Sequence, residues 1–257
     1  MSSIDDQFKS LHRGSTIFVL PNAWDARSAM LIQENKFPAV ATSSAAVAIS
    51  LGYEDGEKIP FSEYLFVIRR ILESVSIPLS VDMEMGFGKT DPEIVENMKS
   101  LARMGVAGIN IEDSEFIRSK RSLGNAERFA LRIGAIKSML AAEKLNLFIN
   151  VRCDTYLLPV KDKRGETSKR LGLYDAAGAD GIFLPCLKEE ADIVHARAAT
   201  KLPLNLMAVP GLPAFPVLEK LGVNRVSLGP FLFNKTYSVA AGLLQEIIGN
   251  KNVDSIC

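Results

Sequence analysis

The chain has 257 residues, 47% hydrophobic and 23% charged, an ordinary balance for a soluble globular protein of one large domain or two small ones. Thirty Lys plus Arg offset thirty Asp plus Glu, so no charge excess draws the chain to nucleic acid or to a membrane surface. His12 and His195 stand far apart, against a classical zinc site, and Cys153, Cys186 and Cys257 form no CxxC pair or even framework, which fits a reducing cytoplasm.

The N-terminus MSSIDDQFKS carries acids where a signal peptide has basic residues followed by an apolar core, so no leader is expected. No apolar run reaches the ~18 residues of a membrane span. Beyond that point the pattern alternates. Short β-branched or apolar runs each precede a longer stretch with helical spacing. The predicted strands are IFVLP (17–21), AVATSS (39–44), LSVDME (79–84), GINIED (108–113), LFINVR (147–152), GIFLP (181–185), LNLMAV (204–209) and RVSLG (225–229).

The clearest helix between them is DPEIVENMKSLARMG. Asp91 reads as its N-cap, Pro92 as its first residue and Gly105 as its stop. Ile94, Val95, Met98, Leu101 and Ala102 make one apolar stripe along it. NAERFALRIGAIKSMLAAEK follows the same rule, with Ala130, Ile133, Ile136 and Leu140 on one side. His195 falls inside the helical EEADIVHARAA, as a surface or packing residue, and Trp24 in LPNAWDARSAM anchors the first helix after strand one. The amphipathic YSVAAGLLQEIIG near the C-terminus suits packing on this barrel or on a neighbouring subunit.

Eight strand–helix units with no Pro-, Gly- or Ser-rich linker predict an α/β fold, a single-domain (β/α)8 barrel over residues 1–257. An open doubly wound sheet is the alternative. In such a barrel the active site lies at the C-terminal ends of the strands. Polar residues collect there: Thr42, Ser43 and Ser44 after the second strand, Asp82 and Glu84 after the third, Asn110, Glu112 and Asp113 after the fourth, Asn150, Arg152 and Asp154 after the fifth. Residues two apart share a strand face. A consistent inward assignment therefore brings Asp82, Glu84, Glu112 and Arg152 to one mouth. Asp113 lies on the face opposite Glu112, in a capping or supporting role.

Three sheltered carboxylates either share protons or hold a cation. Oxygen ligands without a nearby His favour a hard ion, Mg2+ or Mn2+. Arg152 then suits a carboxylate or phosphoryl oxygen of a substrate. Cys153 and Cys186 read as core fillers.

The residues TSSAAVAISLGYEDGE, VDMEMGFG, GINIEDS and INVRCDTYL together resemble the isocitrate lyase/phosphoenolpyruvate mutase superfamily, over nearly the whole chain. VDMEMGFG resembles its acidic metal-binding motif, commonly VDxDTGYG. The resemblance implies a Mg2+-dependent reaction on a small keto acid or related carboxylate through an enolate-like intermediate, with C–C or C–P bonds broken or moved. It implies Asp82 as direct metal ligand, with Glu84, Glu112 and Asp55 completing the metal shell. It places Ser43, Ser44 and Asp82 about the keto-carboxylate and Arg152 at the other end of the substrate. Arg152, Glu112 and Asp55 are the candidate catalytic groups. A cytoplasmic homo-oligomer, dimer or tetramer, with a C-terminal helix exchanged between subunits is also implied.

The chain departs from the superfamily at informative places. The lyase branch carries a KKCGH-type loop after the fourth strand whose Cys serves as acid or base; SEFIRSKRSLGN stands here, with neither Cys nor His. The Lys–Thr–Asn loop of the mutase branch is absent too, and LPCLKE replaces the segment that brings a phosphonate-contacting His. Lys120, Arg121 and Ser122 are the substitutes in a gating loop. Glu84 replaces Asp, and Met85 a Thr. Three functions remain: a Mg2+-dependent C–C lyase or decarboxylase acting on a keto or hydroxy di- or tricarboxylate, a phosphonomutase-like enzyme acting on a C–P bond, and a non-catalytic ligand-binding barrel.

Overall fold

The computed structural model describes residues 3–14, 16–118 and 120–257. Its main sheet is parallel throughout and runs β1 (Phe18–Leu20), β11 (Val223–Ser227), β10 (Leu204–Met207), β9 (Gly181–Leu184), β8 (Phe148–Arg152), β5 (Gly108–Glu112), β4 (Leu79–Asp82), β3 (Val40–Thr42), β2 (Asn22–Ala23). β1 and β2 are two halves of one strand interrupted at Pro21. The first half pairs with β11 and the second with β3, so the nine segments form an eight-stranded, nearly closed barrel.

Pro21 has no N–H to give the ladder. Asn22 bridges the seam instead. Its Nδ2 donates to Thr42 O at 2.7 Å, and its Oδ1 accepts from Leu228 N at 3.0 Å and Gly229 N at 2.8 Å. The predicted barrel is the observed one, and the open sheet is excluded by this closure.

Strand alternation sorts the side chains. Ile109, Ile111, Ile149, Val151, Ile182, Leu184, Leu204 and Leu206 face outward into the layer between sheet and helices. They meet α5 (Asp91–Met104) through Ile94, Met98 and Leu101, and α6 (Ala126–Ala142) through Ile133, Ile136 and Leu140. Each such side chain stabilises the fold by about 1.5–3 kcal/mol when fully buried. Inside, the bottom of the barrel is filled by Phe18, Leu20, Ala39, Ala41, Ala107 and Phe148, and sealed by Phe8 of α1 (Ile4–Leu11). Above that floor the interior turns polar, with Asn110, Asn150, Asn205 and Arg225 all buried.

The remaining helices are α2 (Ala26–Glu34), α3 (Ser44–Ser50), α4 (Phe61–Ser74), α7 (Lys163–Ala176), α8 (Glu190–Ala199), α9 (Phe215–Lys220) and α10 (Phe231–Asn250). His195 sits on α8 as expected, bonded to Ser168 Oγ at 2.9 Å. Trp24 donates its backbone N–H to Ser28 Oγ of α2 at 3.0 Å and packs edge-on against Phe233 of α10, 5.2 Å between ring centres, so it ties the first helix after the strand to the last. Beyond Phe233, α10 leaves Tyr237, Val239, Leu244 and Ile248 exposed. Among the described residues, no helix is long and apolar enough to cross a membrane.

One helix boundary differs from the sequence expectation. The N-cap of α5 is Thr90, not Asp91: Thr90 Oγ1 accepts from Glu93 N, and the Glu93 carboxylate accepts from Thr90 N at 3.2 Å. Asp91 is already helical and is taken by Arg132 at 2.7 Å. A reciprocal capping box satisfies two otherwise unpaired donors, which a lone Asp does not. Thr90→Ala is expected to lower the unfolding free energy in urea by about 1 kcal/mol, with the native far-UV spectrum retained.

Candidate active site

The mouth at the C-terminal ends of the strands holds a cavity of about 250 Å³ lined by Asn22, Ser43, Ser44, Asp55, Asp82, Asn110, Arg121, Arg152, Phe183, Met207 and Ser227, among others. Backbone geometry around Asp82 is pinned by a small ring of bonds. Asp82 N donates to Thr42 Oγ1 at 2.9 Å, Thr42 Oγ1 and Tyr64 OH are 2.7 Å apart, and Tyr64 OH donates to Asp82 O at 2.9 Å. Ser44 Oγ donates to Asp82 Oδ2 at 2.9 Å. Ser43 is bound to its own helix start, accepting from Ala46 N at 3.3 Å as the N-cap of α3.

Glu84 reaches the site by a different route from the one strand alternation predicts. β4 stops at Asp82, and Glu84 adopts a left-handed φ of +44° in the turn beyond. Gly86 completes that turn at φ +115°, where a Cβ would lie 2.5 Å from Ile94 Cγ2, so only glycine fits. The turn buries the Glu84 carboxylate, 2% exposed, with neither oxygen in a well-formed hydrogen bond among the described residues; the Glu57 backbone N–H is the donor beside it. Burial first, and then the charges of Asp55 and Asp82, push its pKa up to about 8. Asp82 is also raised by burial, with Arg152 and Ser44 opposing.

Glu112 and Arg152 are register partners on β5 and β8. Arg152 Nη1 lies 2.8 Å from Glu112 Oε2, and its Nε donates to Asp154 Oδ1 at 2.6 Å. Burial alone would lower the Arg152 pKa; Asp154 and Asp82 outweigh it and hold the guanidinium above its usual value. Arg121 also bonds Glu112, and lies 3.6 Å from Asp154. It arrives on an antiparallel hairpin, β6 (Ser114–Ile117) and β7 (Lys120–Leu123), steadied by Phe116 under its guanidinium at 5.0 Å. The segment expected to be a gating loop is thus a short sheet, and Arg121 is its residue at the cavity. Asp113 supports from behind as its parity predicts, accepting from Arg170 Nη1 at 2.9 Å and Tyr174 OH at 2.7 Å.

Of the acids expected at one mouth, Asp55 and Asp82 line the cavity and Glu84 adjoins them, while Glu112 is engaged by two arginines. No three of the described His, Cys, Asp and Glu side chains stand close enough to enclose an ion by themselves. The donor set still fits a hard divalent ion: a buried carboxylate without a well-formed hydrogen bond, two further acids and room for the waters that Mg2+ keeps. Arg225 belongs to the site's underside and was not singled out from sequence; Asn110 was named among the strand-end polar residues but given no role. The signal for Arg225 was a charged residue at inward parity in a barrel strand.

An α/β barrel whose strand ends present acids and arginines to a small cavity is the architecture of an enzyme for small acids. The sequence model of the phosphoenolpyruvate phosphomutase family matches residues 8–248, and the chain belongs to that family, within the isocitrate lyase/phosphoenolpyruvate mutase superfamily of lyases and phosphonomutases. It is 28% identical to the oxaloacetate decarboxylase of Ectopseudomonas mendocina over 255 residues, covering 96% of this chain and 85% of the relative. A Burkholderia cenocepacia J2315 structure named as a candidate phosphonomutase superposes with a TM-score of 0.88 at 32% identity, covering 95% of this chain and 98% of that one. The fold is also that of a phosphonopyruvate hydrolase solved with oxalate and Mg2+, with a TM-score of 0.87, 21% identity and coverage of 99% and 90%.

Because Glu84 keeps its proton to about pH 8 when folded, the native state binds more protons than the unfolded chain above the ordinary Glu range. Stability contributed at this position therefore falls as pH rises from about 4.5 to about 8. With divalent ions chelated, Glu84→Gln is expected to remove that decline: the difference in urea midpoint between variant and wild type grows in the variant's favour from pH 5 to pH 8. A pH-independent difference contradicts the assignment.

Proposed function

We propose that the protein is a Mg2+-dependent lyase that cleaves a C–C bond, by decarboxylation or retro-aldol chemistry, in a small keto or hydroxy di- or tricarboxylate. The observation that carries this reading is that Asp55 and Asp82 share one small cavity with Arg152 and Arg121, with the buried Glu84 beside those two acids. Even with Glu84 holding its proton, four further acids, Asp55, Asp82, Glu112 and Asp154, meet two guanidiniums there, so the site favours a cation. The bound Mg2+ of the phosphonopyruvate hydrolase structure, and the oxaloacetate decarboxylase among the relatives, are consistent with it.

Asp82 would hold the ion directly, with Glu84, Asp55 and Glu112 acting on its waters. Mn2+ suits the same oxygens. When bound, the ion supplies positive charge opposite the oxygen that becomes enolate-like. Ser44, with Ser43 at the start of α3, would hold the keto-carboxylate end. Arg152 would take the distal acid of the substrate through its planar fork. Arg121 on the hairpin lies over the same end and shields it from water. Arg152 is already oriented by Asp154, so little reorganisation accompanies binding.

A phosphonomutase-like reaction on a C–P bond is the second reading. The same pair of arginines suits a phosphonate, and the Burkholderia cenocepacia structure bears that name. We further infer a homo-oligomer, dimer or tetramer, supported by the apolar residues that α10 leaves exposed.

Calorimetric titration with oxalate, an enolate mimic, tests the site. Binding is expected with Mg2+ and is expected to vanish on chelation and in Asp82→Ala. Oxalate binding indifferent to both would refute the proposal. Arg152→Lys is expected to weaken a dicarboxylate such as oxaloacetate about tenfold or more, because a point charge replaces a bidentate fork. Phosphorus NMR on a panel of phosphonates separates the second reading: a new resonance after incubation favours it.

A further inference from the structure

Beneath the acids, a line of hydrogen bonds crosses the barrel interior. Asn205 Nδ2 donates to Asn150 Oδ1. Asn150 Nδ2 donates to Asn110 Oδ1 at 2.8 Å, and Arg225 Nη2 donates to the same oxygen at 3.0 Å. Arg225, Asn150 and Asn205 are fully buried. Gly181 leaves the space that Asn150 occupies, since a Cβ there would lie 2.8 Å from Asn150 Oδ1.

The direction of this line is set by Arg225. A guanidinium donates and never accepts. The Asn110 atom that meets it is therefore the carbonyl oxygen, and Asn150 must present its amide nitrogen to that same oxygen. The line then ends at Asn205 Oδ1, an acceptor with no partner among the described residues, as this polarity requires. At the other end Asn110 Nδ2 meets no acceptor among the described residues, and Asn110 lines the cavity beside its register partner Asp82.

Arg225 itself is an unusual occupant. No carboxylate among the described residues lies within ion-pair distance of it, and its Nε is unpartnered. Below it, His12 Nδ1 is 2.9 Å from Phe8 O, which places the ring proton on Nδ1 and leaves Nε2 as the acceptor 3.4 Å from Arg225 Nη1. Burial pushes Arg225 down to about 9, with the Asp82 charge opposing, and burial together with the Arg225 charge pushes His12 down to about 3. At neutral pH the pair is thus a cation on a neutral imidazole. A cation buried without a carboxylate in direct contact is costly, even with Asp82 acting on it from a distance, and packing alone would be served by an apolar side chain.

We propose that Asn110 is a substrate-binding residue whose free amide protons meet an anionic oxygen, carboxylate or enolate, of the acid held in the cavity, and that Arg225 is the positioning residue that keeps them turned upward. This rests on the reading of the cavity as an enolate-type site. An amide suits that place: it donates to an anion without repelling a metal ion held by Asp82.

The test uses oxalate with Mg2+ in wild type, Asn110→Ala, Arg225→Met and the double variant, each titrated well below its unfolding midpoint. Asn110→Ala is expected to weaken oxalate about ten- to a hundredfold, the range for a hydrogen bond to a charged group. Arg225→Met is expected to weaken it similarly, with no further loss in the double variant, since the two act in series. The Asn110 side-chain amide resonances of the wild type are expected to shift on oxalate addition. Unchanged affinity in Asn110→Ala, additive losses, or no amide shift on saturation would each overturn the assignment while leaving the enolate site standing. The amide shift needs no variant, so it decides the matter even if Arg225→Met does not fold. A wild type that takes up no oxalate with Mg2+ overturns the enolate reading and this inference with it.

Discussion

Arg152 is the interaction on which the upper face of the barrel depends. Its guanidinium sits between Glu112 on the neighbouring strand and Asp154 just beyond its own. Three further side chains attach to those two residues. Ser114 Oγ donates to Asp154, Arg121 reaches both acids from the hairpin, and Asp113 receives the Asp154 N–H while bonding Arg170 of α7. Side chains so deeply buried cannot be left singly charged. Removing one partner of such a set typically costs 3–5 kcal/mol because the other charge is stranded. The geometry of the mouth is therefore held by the same charges that would bind the substrate.

That arrangement leaves an imbalance concentrated at Glu84. Its neighbours Asp55, Asp82 and Glu57 are all acids, and the turn that places it keeps solvent away. A protein does not bury an unpaired carboxylate among acids for stability. The strained backbone at Glu84 and Phe87, both at positive φ, lies in the same turn. Strain, burial and charge repulsion thus fall together on VDMEMGFG, and a divalent cation would relieve the electrostatic part of it.

The barrel interior tells a related story in depth. Aromatic and small apolar residues fill the floor, amides and a guanidinium the middle, and acids the top. A purely apolar interior would be the more stable choice. The polar middle layer instead transmits orientation from the buried Arg225 to the amide that faces the cavity. Where the lyase branch carries its Cys-bearing loop, this chain has a paired hairpin that brings Arg121 to the site.

Much of this was legible in the residue order. Alternation of strand and helix periods determined a parallel α/β fold, because a parallel strand needs a covering helix before the next can pair; the eight units pointed to a barrel, and only the closure through β1 and β2 decided it against an open sheet. Parity along GINIED and LFINVR determined that Glu112 and Arg152 share the interior and Asp113 does not. The four-motif resemblance determined the family. The tertiary structure alone decided the rest. It placed Glu84 by a left-handed turn rather than by strand parity, since a strand's end is set by its neighbours' hydrogen bonds and not by its own residues. It made Thr90 the cap of α5, paired SEFI with KRSL as a hairpin, and brought Arg225 beneath Asn110. Contacts between residues more than a hundred positions apart depend on how the barrel closes, and no local pattern encodes that distance.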